Sequence, residues 1–194
     1  MLRRCTRLCR AGATCVVLVA LSIPVRGQTK GNGSTPGERS PASVVREYCR
    51  LDLEGARLSS NNPDSEKYFA LVAWPDEPGW DGAIVIRNFA VTRSSSGQAL
   101  AEVTVKYSVL GTLSGAAVTA SPRHEESVTF TLKRSGSTWK IERPLISPHI
   151  SVNAAIATLR GVLNGEKDPE RRKRLSDGIA ALSRLETRDT HAKP

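Results

Sequence analysis

The sequence predicts an α+β fold: a long N-terminal helix packed on a curved antiparallel sheet of about four strands, followed by two C-terminal helices. Three observations predict it. Apolar residues recur at helical spacing from Val44 to Leu58. Segments between Ala83 and Arg143 alternate apolar and polar residues with a period of two and are joined by short turns. Two more helical stripes follow Val152. Helix, a block of hairpin-linked strands, then helices is the order of an α+β domain.

The first helix opens at Ser40-Pro41, a capping hydroxyl followed by proline in the first turn. It is predicted over 41–58 and ends before "SSNNPDS". At about 100° per residue, Val44, Val45, Tyr48, Cys49, Leu51 and Ala56 share one arc, with Arg46, Glu47, Arg50, Glu54 and Arg57 opposite. Asp52 falls inside the apolar arc, one turn beyond Tyr48. Gly55 lies there too, where a missing side chain permits close approach.

Residues 62–82 read as irregular, apart from a short helix near "SEKYFALV". "WPDEPGWDG" is a turn-rich loop holding Trp74, Trp80 and Asp81. Strands follow at 83–93 and at 99–111, where Val103, Val105, Tyr107 and Val109 face one way and Thr104, Lys106 and Ser108 the other. A looser section, "TLSGAAVTASPRHE", precedes "ESVTFTLKR", in which Val128, Phe130 and Leu132 alternate with polar residues. "SGS" turns the chain into "TWKIER", with Trp139 facing the core. Turns this short require antiparallel pairing, and one apolar face calls for a single covered face.

"PLISPHISV" then leads into a helix over 152–163 with the stripe Val152, Ala155, Ile156, Leu159, Val162 and Leu163. Asp168-Pro169 begins a third, with Leu175, Ile179, Leu182 and Leu185 as its stripe. The resulting organisation is an export signal at 1–27, a disordered linker at 28–40, an α+β domain at 41–150, a helical pair at 151–186 and a frayed tail at 187–194.

The export reading rests on Arg3, Arg4, Arg7 and Arg10, the apolar run "AGATCVVLVALSIPV" and small residues before Gln28. The run falls short of the roughly 20 apolar residues a membrane span needs, so no span remains after cleavage. The chain is thus expected to be secreted or periplasmic. Five of the 28 basic residues and none of the 19 acids lie in 1–27, so the remainder carries 23 against 19, a net of +4. With the basic excess concentrated in the leader, nucleic-acid binding loses its support. Asn32-Gly33-Ser34 matches a glycosylation acceptor.

Cys5, Cys9 and Cys15 are in the leader; the remaining cysteine, Cys49, can form neither an internal disulfide nor a zinc site and reads as a small buried hydrophobe. His124, His149 and His191 are scattered without metal-ligand spacing, and no cofactor motif is present. His124 reads as solvated. "ERRKR" (170–174) is either the wet face of a helix or a hold on an acidic partner or anionic lipid.

The opening helix "SPASVVREYCRLDLEGARL", the strand "ALAEVTVKYSVLG" and the hairpin "ESVTFTLKRSGSTWKIER" together resemble the nuclear transport factor two superfamily, also called SnoaL-like or ketosteroid-isomerase-like. The resemblance covers residues 41–146, and the two C-terminal helices depart from it. It implies a cone in which a curved sheet wraps the long helix and leaves a cavity at its open end. Asp52 would then point into the cone, where an unpaired carboxylate is costly. Two readings are open: a general base with a raised pKa, or a structural bond to an arginine, a backbone amide or solvent.

Trp74 and Trp80 form either a ligand-facing rim or a seal over the sheet. Tyr48, Asp52, Trp80, Tyr107 and His149 are the candidate ligand contacts. The expected function is a non-catalytic exported module that binds a small apolar ligand or a protein partner. The alternatives are a cofactor-free isomerase, cyclase or dehydratase using Asp52 with Tyr48 or His149, and an assembly role through a homodimer.

Overall fold

A computed structural model describes residues 39–59 and 61–190, with side chains to residue 187. The export signal, nearly all of the linker, the Asn32 acceptor and His191 lie outside the described residues. The elements are α1 (Pro41–Leu53), α2 (Ser65–Phe69), β1 (Ala83–Ser96), β2 (Leu100–Ser114), β3 (Ala117–Ser135), β4 (Thr138–Arg143), β5 (His149–Ser151), α3 (Val152–Gly165) and α4 (Pro169–Thr190). This is an α+β fold built on a five-stranded sheet, one strand more than predicted.

The sheet order is β4-β3-β2-β1-β5. The first four strands pair antiparallel, and β5 adds a parallel edge against Ile84–Ile86 of β1. The sheet is therefore mixed, where an antiparallel one was predicted. "SPHIS", read as a linker, contributes that edge: three residues are too few for an alternating pattern to register. The section read as loose also belongs to the sheet, because β2 runs to Ser114 and β3 begins at Ala117. A register shift between Val109 and Gly111 puts one β2 residue against three of β3 and takes up Pro122. A bulge is where a strand tolerates a residue with no N–H to donate. The pattern looked irregular in sequence because the bulge breaks the alternation.

α1 starts as predicted, with the Ser40 hydroxyl accepting from the Ser43 N–H. It ends at Leu53, five residues early, because Gly55 adopts φ +86°. The Gly55 N–H donates to the Asp52 carbonyl and the Ala56 N–H to that of Leu51, 2.9 and 3.0 Å away. These are the paired bonds of a Schellman stop, with Ala56 and Leu51 both buried. The turn sends Arg57 back alongside Asp52.

Two cores lie on the two faces of the sheet. Tyr48, Leu51, Tyr68, Tyr107, Phe130 and Ile141 fill the face that carries α1. Val85, Leu110, Ile150, Ala155, Leu159 and Leu182 fill the other, under α3 and α4. The sheet's curled end is thus covered twice. Val85 and Ile86, adjacent in β1, feed opposite cores, as a pleated strand requires. α4 continues through Thr190, beyond the start of the predicted tail.

Gly178 lets α4 touch the Gly115–Ala116 turn: a Cβ there would collide with the Ala116 carbonyl and lie 3.2 Å from Leu159. Gly178→Ala should cost about 1–3 kcal/mol in urea unfolding. Gly161→Ala, facing open space in α3, should instead stabilise by about 0.5–1 kcal/mol.

Candidate functional site

Asp52 is 1 % exposed and has two partners. Its Oδ2 accepts from the His149 backbone N–H at 2.8 Å and from Arg57 Nη1 at 3.3 Å. Its place in the apolar stripe is thereby explained: it ties α1 to the incoming β5 edge and to the segment after the helix stop. Burial pushes its carboxyl up to about 7, against the pull of Arg57 and the His149 amide.

Arg57 is the hub. Its side chain is 1 % exposed and donates from Nε to Glu77 Oε2 at 2.9 Å and from Nη2 to the Ile146 carbonyl at 2.7 Å. Nη1 also reaches the Tyr48 hydroxyl at 3.4 Å. The guanidinium lies over the rings of Tyr68 and Trp80, with its carbon 5.2 and 5.6 Å from their centroids. Cation–π contact in a dry site adds to the ion pairs. The neighbouring acids hold Arg57 firmly charged, well above its ordinary value.

Glu77 organises the tryptophan loop. It accepts from Arg57, from the Tyr68 hydroxyl and from both indole N–H groups, Trp74 at 3.4 Å and Trp80 at 3.3 Å. A carboxylate three residues from each tryptophan in "WPDEPGW" thus converts a turn-rich stretch into a fixed wall.

Behind this wall lies a buried polar chain. The His149 ring stacks on Tyr107 with centroids 4.3 Å apart, and its Nδ1 is 2.8 Å from the Ser147 carbonyl. The Tyr107 hydroxyl lies 3.2 Å from Cys49 Sγ. Burial raises the Cys49 thiol to about 12 and lowers His149, so the thiol stays protonated and the ring neutral. Asp52 Oδ1 and His149 Nε2 are buried without a protein partner.

Of the five candidate contacts, four converge: Tyr48, Asp52, Tyr107 and His149 all lie within the packed interior, 0–3 % exposed. None of the four lines the groove beside the tryptophan loop. The face of the sheet on which a cone cavity is expected carries the packed α1 side chains Val44, Val45, Tyr48, Cys49 and Leu51. The groove, of about 730 Å³, runs between the tryptophan loop, the turn after α1, α2, the β2–β3 turn, and helices α3 and α4. Trp80 is the one predicted contact that lines it, alongside Arg57, Phe69, Glu77, Val162 and Arg174. Trp74 packs against the α1 core instead, and His124 is exposed on β3, its Nδ1 3.0 Å from the Pro122 carbonyl.

Sequence reasoning missed Arg57 and Glu77. It placed Arg57 on the wet face by continuing the helix past Gly55. The available signals were Gly55 as a stop and the W-x-x-E-x-x-W spacing. Val162, in the apolar stripe predicted over 152–163, is 43 % exposed and lines the groove, as does Phe69 at 41 %.

Among the described residues, no group of three or more His, Cys, Asp and Glu side chains is placed to hold a metal ion, and no helix is long and apolar enough to cross a membrane. No family model, curated protein or solved structure matches the chain.

Proposed function

We propose that this chain is an exported, non-catalytic binding module of the cone-fold type, and that it takes a small apolar ligand in the groove beside the tryptophan loop. The observation that carries this reading is the groove's apolar exposure. Phe69 and Val162 are two of the four large hydrophobic residues left exposed among the described residues, and both line it with Trp80. Its volume lies in the range of small-molecule sites, which typically run about 300–1,000 Å³. The wall is preformed, because Glu77 and Arg57 hold the loop before any ligand arrives. A preformed site spends little free energy on ordering when it binds. The helix-then-curled-sheet order supports the likeness to the nuclear transport factor two superfamily, with the binding face moved outward by the two added helices. The export signal supports a secreted or periplasmic location.

The neutral apolar dye N-phenyl-1-naphthylamine tests the groove. Saturable binding at one site per chain is expected, with quenching of tryptophan fluorescence. Trp80→Ala and Val162→Ser should weaken it about tenfold or more, the worth of burying one large apolar side chain. Leu100→Ser, at the exposed far hairpin, should leave it unchanged. Non-saturable binding, or equal losses in all three variants, would remove the reading.

A further inference from the structure

The groove carries charge of both signs; Arg57 and Glu77 neutralise each other and Arg171 pairs with Glu166, which leaves Asp76, Asp81 and Arg174. Asp76 and Asp81 line it from the tryptophan loop, and Arg171 and Arg174 line it from α4. The basic run on α4 divides by role. Arg172 Nη1 donates to the Leu163 and Glu166 carbonyls, 3.1 and 2.8 Å away, closing the end of α3. Lys173 pairs with Asp177 at 2.9 Å, and Arg171 with Glu166 at 3.1 Å. Arg174 has no carboxylate partner among the described residues, and neither Asp76 nor Asp81 has a cationic one. Phe69, Trp80, Leu159 and Val162 line the same groove.

We infer that the groove's ligand is a zwitterion with an apolar body, of the class of a short apolar peptide with free termini. Its ammonium group is met by Asp76 and Asp81, and its carboxylate by Arg174. The inference rests on the groove being the binding site and adds the ligand's charge pattern. A purely anionic amphiphile would leave the two aspartates without a partner beside it, and a cationic one would leave Arg174 so. A neutral apolar ligand would use neither. A body of two or three residues suits the volume, since the groove is within the small-molecule range.

The test is displacement of N-phenyl-1-naphthylamine from the full chain by tri-leucine, its N-acetyl form, its C-terminal amide and the doubly blocked peptide. The free peptide should compete best. Each block should weaken competition roughly two- to fivefold, the worth of one partly exposed ion pair. Arg174→Gln should remove the penalty of amidation and leave that of acetylation. Asp76→Asn with Asp81→Asn should do the reverse. All three positions are exposed, so folding should be unaffected, and circular dichroism melts check this. Two results would overturn the inference while leaving the groove as the site: dye binding with all four peptides competing equally, or a preference depending on one terminus only. Failure of dye and peptides alike would remove both.

Discussion

Arg57→Ala should lower the stability of the fold by about 3–5 kcal/mol, the usual consequence of removing one member of a buried ion pair. Two carboxylates depend on this residue. Asp52 is sealed and Glu77 nearly so, and each would face the interior without its cation. The Ile146 carbonyl would lose its donor, and the rings of Tyr68 and Trp80 their central cation. Urea midpoints measure the loss. Tryptophan fluorescence should also shift red in the folded variant as the Trp80 loop loosens. Adding Asp52→Asn and Glu77→Gln to Arg57→Met should recover much of the loss, because neutral amides keep hydrogen bonds without a buried charge. A single-variant loss below about 1 kcal/mol would mean that the pair is solvated, as surface pairs are.

The second large effect is a pH slope with an identifiable source. In the fold the Asp52 carboxyl sits near 7, against an ordinary 3.8, because burial penalises the anion more than Arg57 and the His149 amide favour it. The folded chain therefore binds this proton more tightly than the unfolded chain does. Stability from this group is highest below about pH 4, falls as pH rises towards 7, and is level above. The size is on the order of a few kcal/mol.

His149 acts with the opposite sign. Its folded value is depressed by burial, so acidification through its ordinary 6.5 protonates the unfolded chain first and destabilises the fold. Asp52→Asn removes the first slope and exposes the second. The wild type should change little or lose stability from pH 5 to 7, while the variant should gain it. Urea unfolding at stepped pH measures both curves. Parallel curves would mean that Asp52 is ionised throughout, with Arg57 outweighing burial.

Arg57 and Glu77 line the groove while Asp52 and His149 lie behind it, and the two pairs differ in how far sequence could place them. The Ser40-Pro41 start, the alternation of Val103, Val105, Tyr107 and Val109, and the Leu175, Leu182 and Leu185 stripe were legible because each is a local period. Asp52 was legible as an anomaly, since a carboxylate in an apolar stripe must have a partner. Its partner was not legible. Arg57 is only five positions away, but it reaches Asp52 through a left-handed turn at Gly55, which periodicity cannot represent.

The sequence by itself determined the long helices, the hairpin-linked strands and most of the faces they bury, because helical and strand periods are properties of neighbouring residues; it did not determine the short β5 edge or the buried place of Arg57. Tertiary structure alone decided where the opening lies. α3 and α4 settle on the second face of the sheet and meet the tryptophan loop from more than seventy positions further along the chain. The groove is therefore a product of packing between distant segments. The same packing turned an inward acid into a sealed structural tie and left Phe69 and Val162 exposed beside a half-buried Trp80.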